Sequence, residues 1–99
     1  MNFKKLKSSL GGAPKKSGVY AICVKNIDTN KETVMYIGSS KNIYKRVYNN
    51  GHHYMILLKT KQLPEVVYIK FYVTKDYINI ERNLIKKINP ILNLTFKEV

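Results

Sequence analysis

The chain has 99 residues, a length that allows one domain with a modest core and excludes a second one. Lysine and arginine together number 18 against 6 acidic residues, and the formal net charge of +12 favours a polyanionic partner such as nucleic acid. The single cysteine excludes an intramolecular disulfide, and no apolar run is long enough to span a bilayer, so we expect a cytoplasmic protein without a membrane partner.

The first elements along the chain are a basic lead-in and a β-hairpin. Residues 1–17 contain several lysines and the Gly11-Gly12-Ala13-Pro14 break, which predicts a lead-in that ends in a loop. Segments 18–25 and 33–38 are rich in β-branched and aromatic residues, and the turn-like segment 26–31 joins them. A symmetric turn centred on Asp28 would pair Tyr20 directly with Tyr36 and place both phenols on one face of the sheet.

Two helices are predicted after the hairpin. The first covers 42–48, with Ser39 or Ser40 as its N-cap and with Arg46 beside its apolar stripe. That stripe consists of Ile43, Tyr44, Val47 and Tyr48. Residues 49–51 end this helix, two histidines follow, and a second short helix is expected over 54–61.

The last two elements are a strand and a helix. Residues 66–73 are almost continuously β-branched or aromatic, which predicts a third strand that is buried on much of both faces. The closing helix is expected to begin at Asp76 as its N-cap and to run to Ile88. It ends before Pro90, because a residue that precedes proline avoids helical geometry.

Glu81 is an unusual residue in this closing helix. At about 100° per residue, it falls in the middle of an apolar sector. The sector consists of Tyr77, Ile78, Ile80, Leu84, Ile85 and Ile88. A carboxylate directed into a core is costly unless a cation or a hydrogen-bond donor receives it. A divalent metal ion, Arg46 and a tyrosine hydroxyl are candidate partners; the alternative is a glutamate at the core edge that reaches water or a lysine.

Four strings of the sequence resemble the GIY-YIG nucleases, a family that includes homing endonucleases, the incision subunit of bacterial excision repair and some restriction enzymes. Gly18-Val19-Tyr20 and Tyr36-Ile37-Gly38 are similar to its two signatures, 39–46 to the stretch that ends in the catalytic arginine, and 81–93 to the closing motif. Each string is weak alone, and their occurrence together in this order is specific. The resemblance covers 17–93 and implies a stand-alone member whose single domain, 18–99, has an α+β fold with a small three-stranded antiparallel β-sheet flanked by helices.

The resemblance also implies an active site for metal-dependent hydrolysis of DNA phosphodiester bonds. Glu81 would be the ligand of a single Mg²⁺ or Mn²⁺ ion, and His52 or His53 would correspond to the family's histidine. The other implied catalytic residues are Tyr20, Tyr36 and Arg46, and the implied structural residues are Gly18, Gly38 and Asn93.

The residue types suit this chemistry. A planar guanidinium matches two phosphate oxygens, so Arg46 would clamp the scissile phosphate, and Glu81 offers a hard oxygen ligand. The other five acidic residues do not cluster around Glu81 in sequence, which disfavours a two-metal site. One of Tyr20 and Tyr36 would relay a proton while the other positions water or phosphate, and a histidine would support proton transfer or contact a phosphate. An isolated strand tyrosine is otherwise typical of ordinary packing.

Duplex or branched DNA is the expected partner. The N-terminal lysines would bind it together with Lys41, Lys45, Lys59 and Lys61, mostly through phosphates that carry no sequence information, although an AT-rich genome is a second source of lysine. We therefore expect nicking or structure-selective cleavage with little sequence specificity, and a homodimer or a partner protein where both strands are cut. The main alternative is a non-catalytic nucleic-acid-binding or adaptor module on the same scaffold. A weaker one is a basic protein that associates with ribosomes or anionic membranes.

Overall fold

The computed structural model describes residues 2–7, 13–48, 65–90 and 92–93. Its strands are β1 (Gly18–Asn26), β2 (Glu32–Ser40) and β3 (Glu65–Val73), and its helices are α1 (Ile43–Tyr48) and α2 (Tyr77–Ile88). A 3₁₀ turn at Phe3–Lys5 precedes β1. The strand order is β2-β1-β3, and β1 is antiparallel to both neighbours. The predicted α+β fold with a three-stranded antiparallel sheet flanked by helices is therefore confirmed. The predicted end of the first helix at 49–51 and the helix predicted over 54–61 lie outside the described residues.

The register of the β1–β2 hairpin differs from the prediction by two residues. Tyr20 faces Gly38, and Ile22 faces Tyr36, so the direct pairing of Tyr20 with Tyr36 is wrong. An irregularity between Ile22 and Cys23 shifts the pairing by one residue, and the turn is asymmetric because Asn30 adopts a left-handed φ of 60°. Since side chains alternate between faces with a period of two, the two tyrosines still lie on the same face of the sheet.

The two helices pack on opposite faces of the sheet. On one face, Ile43 and Val47 of α1 pack in a buried cluster with Tyr20 and Phe71. On the other face, Leu84 of α2 is fully buried in a cluster that also contains Val19, Ala21, Cys23, Ile37 and Leu6. Alternate residues of β1 thus enter different cores, and this strand is buried from both sides.

Four residues predicted to be buried are largely exposed. Tyr44 and Tyr48 belong to the predicted stripe of α1, but only Ile43 and Val47 are buried there. Ile78 is 50% exposed because it lies about 120° around α2 from Leu84, the centre of the buried face. Val73 is 49% exposed at the end of β3, whereas other β3 residues pack on both faces of the sheet as predicted, Phe71 and Ile69 on the α1 side and Tyr68 and Tyr72 on the α2 side.

The N-termini of both helices also differ from the predictions. Asn42, and not a serine, caps α1: its side-chain oxygen accepts a hydrogen bond from the Lys45 backbone N–H at 3.0 Å. Asp76 precedes α2 as predicted, but its side chain makes no capping hydrogen bond and instead accepts one from the side-chain Nδ2 of Asn79 at 2.8 Å. At the other end of α2, Asn89 adopts a left-handed φ of 52°, a conformation in which Asn can end a helix.

Residues of the predicted basic lead-in take part in the fold. Leu6 is buried in the α2-side core, and the backbone of Lys7 exchanges two hydrogen bonds with Phe71 of β3. The first N–H groups of α1 donate to the carbonyl oxygens of Pro14 and Lys16. The division between 1–17 and 18–99 itself stays a prediction. Within the described residues, no helix has the length and apolar character that a membrane crossing requires.

Candidate active site

Two tyrosines lie side by side on the α1 face of the sheet. The ring centroids of Tyr20 and Tyr36 are 6.3 Å apart, and the ring planes are inclined by 39°. Tyr20 is fully buried and Tyr36 is half-buried. Burial raises the pKa of Tyr20, and the neighbouring Tyr36 raises it further; burial and then the Glu81 carboxylate raise the pKa of Tyr36. Both phenols therefore keep their protons at neutral pH and can donate hydrogen bonds.

Gly38 provides the space for the Tyr20 ring. A β-carbon at position 38 would lie 2.5 Å from both Cζ and Oη of Tyr20. Carbon atoms in contact are usually about 3.5–4.0 Å apart, so any side chain at this position would displace the ring. Gly38 thereby allows the Tyr20 hydroxyl to lie over β2.

Gly18 permits a second close approach. A β-carbon there would collide with the carbonyl oxygen of Tyr72 and would lie 2.9 Å from Cδ1 of Ile43. The missing side chain lets β3 and the first turn of α1 approach the start of β1. The predicted structural glycines thus set the position of a tyrosine ring and the position of the helix that carries Arg46.

Arg46 connects α1 to the tyrosine pair. Its guanidinium donates a hydrogen bond to the side chain of Tyr20, and its charge lowers the pKa of Tyr20, Tyr36 and Glu81. The residue is itself exposed, and a guanidinium has five N–H donors. Arg46 can therefore contact Tyr20 and still offer donors to an anion from solvent.

Glu81 approaches the same place from the opposite face of the sheet. The Ser39 hydroxyl donates a hydrogen bond to its carboxylate, and this bond and then the charges of Arg46 and Arg82 lower its pKa. Burial is the larger effect, and the pKa of Glu81 is raised overall. β2 is an edge strand of the described sheet, so groups from both faces can meet beside it.

Ser39 is a site residue that the sequence analysis did not identify. The sequence predicts it as a candidate cap of α1, whereas its hydroxyl donates a hydrogen bond to Glu81. Strand alternation was the available signal: position 39 has the same parity as Ile37, which faces α2, and the opposite parity to Gly38, which faces Tyr20. A hydroxyl on that face is in reach of a carboxylate from the closing helix.

Asn93 holds β2 between the two signature residues Tyr36 and Gly38. Its amide nitrogen donates to the Ile37 carbonyl oxygen, and its amide oxygen accepts from the Ile37 N–H, each at 2.8 Å. These backbone groups point away from β1, and the amide replaces a neighbouring strand at this edge. The segment after α2 is thereby attached to the strand that carries Tyr36 and Ser39.

The remaining predicted site residues are the basic and histidine side chains. Lys41 and Lys45 are exposed, just before and within α1. His52, His53, Lys59 and Lys61 lie outside the described residues.

Among the described side chains of the site, Glu81 is the candidate ligand for a metal ion. Over the described ranges, no group of three or more His, Cys, Asp or Glu side chains could hold a metal ion. A single carboxylate such as Glu81 is a suitable ligand for an ion that keeps most of its water. Burial disfavours the negative charge of Glu81, and a bound cation would compensate that charge.

Nearly the whole chain is similar to part of a much longer type of protein. It is 38% identical over 101 residues to UvrABC system protein C of Mycoplasmoides gallisepticum, which covers 99% of this chain and 16% of that protein. The protein of the same name from Prochlorococcus marinus strain MIT 9312 is 35% identical over 102 residues, with 98% and 15% covered. No protein-family model matches the chain. The chain spans about a sixth of the length of these relatives and is homologous to one segment of proteins named UvrABC system protein C.

Proposed function

We propose that this chain is a DNA endonuclease module of the GIY-YIG type, which hydrolyses phosphodiester bonds with one divalent metal ion. The observation that carries the proposal is the meeting of Tyr20, Tyr36, Arg46 and Glu81, from four different elements, within hydrogen-bonding or electrostatic range. The similarity to UvrABC system protein C over nearly the whole chain supports DNA as the substrate.

Arg46 is proposed to bind the scissile phosphate. Negative charge increases on the phosphate as water attacks, and a preorganised guanidinium stabilises that charge without reorganising. The hydrogen bond from Arg46 to Tyr20 supports this role, because it fixes one part of the guanidinium while the residue remains exposed.

The tyrosines are proposed to bind and move protons at the site. At neutral pH each phenol is protonated and can donate a hydrogen bond; Tyr36, which is half-buried, is the one that reaches water or phosphate, whereas Tyr20 is fully buried. Proton acceptance by one of them requires a nearby positive charge, and Arg46 already lowers the pKa of both. A histidine from His52 or His53 is a further candidate for proton transfer.

Glu81 is proposed to hold Mg²⁺ or Mn²⁺, with Ser39 orienting the carboxylate. When bound, such an ion supplies charge stabilisation at the phosphate and at the leaving oxygen. The position of Glu81 supports this role, since it lies beside Tyr36 and Arg46, and a cation next to a half-buried carboxylate favours its charged form.

The exposed lysines around α1 are proposed to bind the DNA backbone. Lys41 and Lys45 are exposed near Arg46, and phosphate contacts of this kind carry no sequence information. We therefore propose nicking or structure-selective cleavage with little sequence preference, and a homodimer or a partner protein where both strands are cut.

A cleavage assay with matched variants tests the proposal. Linear, nicked, flapped, forked and four-way DNA, and RNA, would be incubated with the chain and Mg²⁺ or Mn²⁺. We expect cleavage of DNA that chelation stops, and a loss of at least about 100-fold in Glu81→Gln and in Arg46→Lys. Glu32→Gln and Arg82→Lys are the matched controls and should cut at nearly the wild-type rate.

Two outcomes would contradict the proposal. Cleavage by Glu81→Gln and Arg46→Lys at the wild-type rate would show that the assigned site is wrong. Salt-sensitive binding without cleavage of any substrate under either metal would favour the non-catalytic binding module.

A further inference from the structure

Two exposed tyrosines form a surface on the flank of α1 that lies away from Arg46. Tyr44 is 39% exposed and Tyr48 is 54% exposed, and their ring centroids are 4.9 Å apart with the planes inclined by 57°. They are four residues apart, so they share one flank of the helix. The residues that anchor α1 are Ile43 and Val47, which leaves these rings available to solvent.

Positive charge surrounds this tyrosine surface. The Lys15 ammonium lies 5.1 Å from the centroid of the Tyr44 ring, a cation–π distance. Each helical position advances by about 100°, so Lys45 lies between the tyrosine flank and the Arg46 flank. Lys15, Lys45 and Arg46 are all exposed. A basic path thus leads across the solvent side of α1 from the candidate active site to the two rings.

Two exposed rings beside basic side chains form a suitable binding surface for an unpaired base of a nucleic-acid strand. Exposed aromatic rings bind nucleobases by stacking, and adjacent cations bind the phosphates between them. A base inside a duplex is covered on both faces by its neighbours and cannot stack on a side chain as well. The helix with its side chains is about 10–12 Å across, so the stacked base belongs to a nucleotide close to the phosphate at Arg46.

We propose that Tyr44 and Tyr48 stack on an unpaired base of the DNA strand whose phosphate is held at Arg46, so that the preferred substrate has a single-stranded segment beside the cleavage point. This inference rests on the proposed function, because it takes the bound strand to be the substrate of that site. It narrows the substrate from DNA in general to frayed, flapped or forked DNA.

The test uses a tryptophan reporter without cleavage. The chain has no tryptophan, so Tyr48→Trp introduces a single one and keeps an aromatic face. In metal-free buffer, a single strand of roughly ten nucleotides should quench its emission, and an abasic strand of the same length and charge should not. Equal responses to both strands would overturn the proposal, since charge alone would then explain the binding.

Affinity measurements separate stacking from charge and from folding. Tyr44→Ala with Tyr48→Ala should weaken binding of the single strand at least about fivefold and leave the abasic strand unaffected. Tyr44→Phe with Tyr48→Phe keeps the rings and should bind like wild type, and circular dichroism checks that each variant folds. Unchanged affinity in a folded double alanine variant would show that the two rings only stabilise α1.

The cleavage assay distinguishes this inference from the proposed function. Cleavage that is equal on duplex and flapped DNA, with no base-dependent quenching, would overturn the stacking inference alone. Base-dependent quenching without any cleavage would retain the tyrosine surface as a binding site and overturn the nuclease proposal.

Discussion

The Tyr20 ring lies over Gly38, the residue it faces across the β1–β2 pair, and the space exists because Gly38 has no side chain. The same ring is buried, lies beside Tyr36 and accepts a hydrogen bond from Arg46. One missing side chain on β2 therefore determines where a phenol and a guanidinium meet.

Gly38→Ala should disturb both stability and the site. The new methyl group would lie 2.5 Å from the Tyr20 ring, which must shift within a packed core. We expect a loss of about 1–3 kcal/mol in the free energy of unfolding, measured by urea denaturation, together with reduced cleavage. Thr33→Ala, at an exposed position on the same strand, is the control and should change stability by less than about 0.5 kcal/mol. Wild-type stability in Gly38→Ala would contradict the tight contact.

Asn93→Ala should loosen the edge of β2. It removes both hydrogen bonds to the backbone of Ile37, whose side chain is fully buried. We expect a loss of about 2–4 kcal/mol in the free energy of unfolding and faster amide hydrogen exchange at Ile37. Asn93→Asp keeps the acceptor for the Ile37 N–H but turns a second oxygen toward the Ile37 carbonyl oxygen, so it should not restore wild-type stability. An unchanged exchange rate at Ile37 would rule out this role for the amide.

Glu81→Gln should stabilise the metal-free protein at neutral pH. Burial raises the pKa of Glu81 in the folded state above its unfolded value, so the folded chain retains this proton to higher pH. The wild type then loses stability as the pH rises from the unfolded-state pKa of Glu81 to its folded-state pKa, whereas glutamine stays neutral. Urea denaturation from about pH 4 to about pH 8 should show that the free energy of unfolding of Glu81→Gln exceeds that of the wild type by an amount that grows with pH. A constant difference across this range would exclude a raised pKa.

Mg²⁺ should stabilise the wild-type chain through Glu81. If an ion binds only the folded state and its free concentration is ten times its Kd, it adds about 1.4 kcal/mol to the free energy of unfolding. Thermal denaturation with and without Mg²⁺ should show this gain in wild type and in Glu32→Gln, but not in Glu81→Gln. A Tm that responds equally in all three proteins would indicate ion binding elsewhere.

Much of the architecture could be predicted from the sequence because it depends on local patterns. The β-branched runs at 18–25, 33–38 and 66–73 coincide with three strands, and the closing helix ends at Ile88 as proposed. The prediction that both signature tyrosines lie on one face is correct although the predicted register is wrong, because a shift of two residues preserves the alternation of side chains along a strand. The catalytic roles of these residues stay predictions.

The apolar stripe of α1 shows where the pattern was insufficient. Ile43, Tyr44, Val47 and Tyr48 have suitable spacing for one buried face, yet the sheet covers only the two aliphatic residues. A short helix has a narrow contact with a sheet, and amphipathic spacing does not state how wide that contact is. The tyrosine surface thus became visible only in three dimensions.

Taken by itself, the sequence determined the order and type of the three strands and two α-helices that the structure describes, the basic charge and the presence of Glu81 among apolar neighbours. The tertiary structure decided the hairpin register, the Ser39 partner of Glu81 and the attachment of Asn93 to Ile37. The physical reason is range: periodicity is a property of neighbouring residues, whereas the contact from Asn93 to Ile37 joins positions 56 residues apart and exists only in the folded chain.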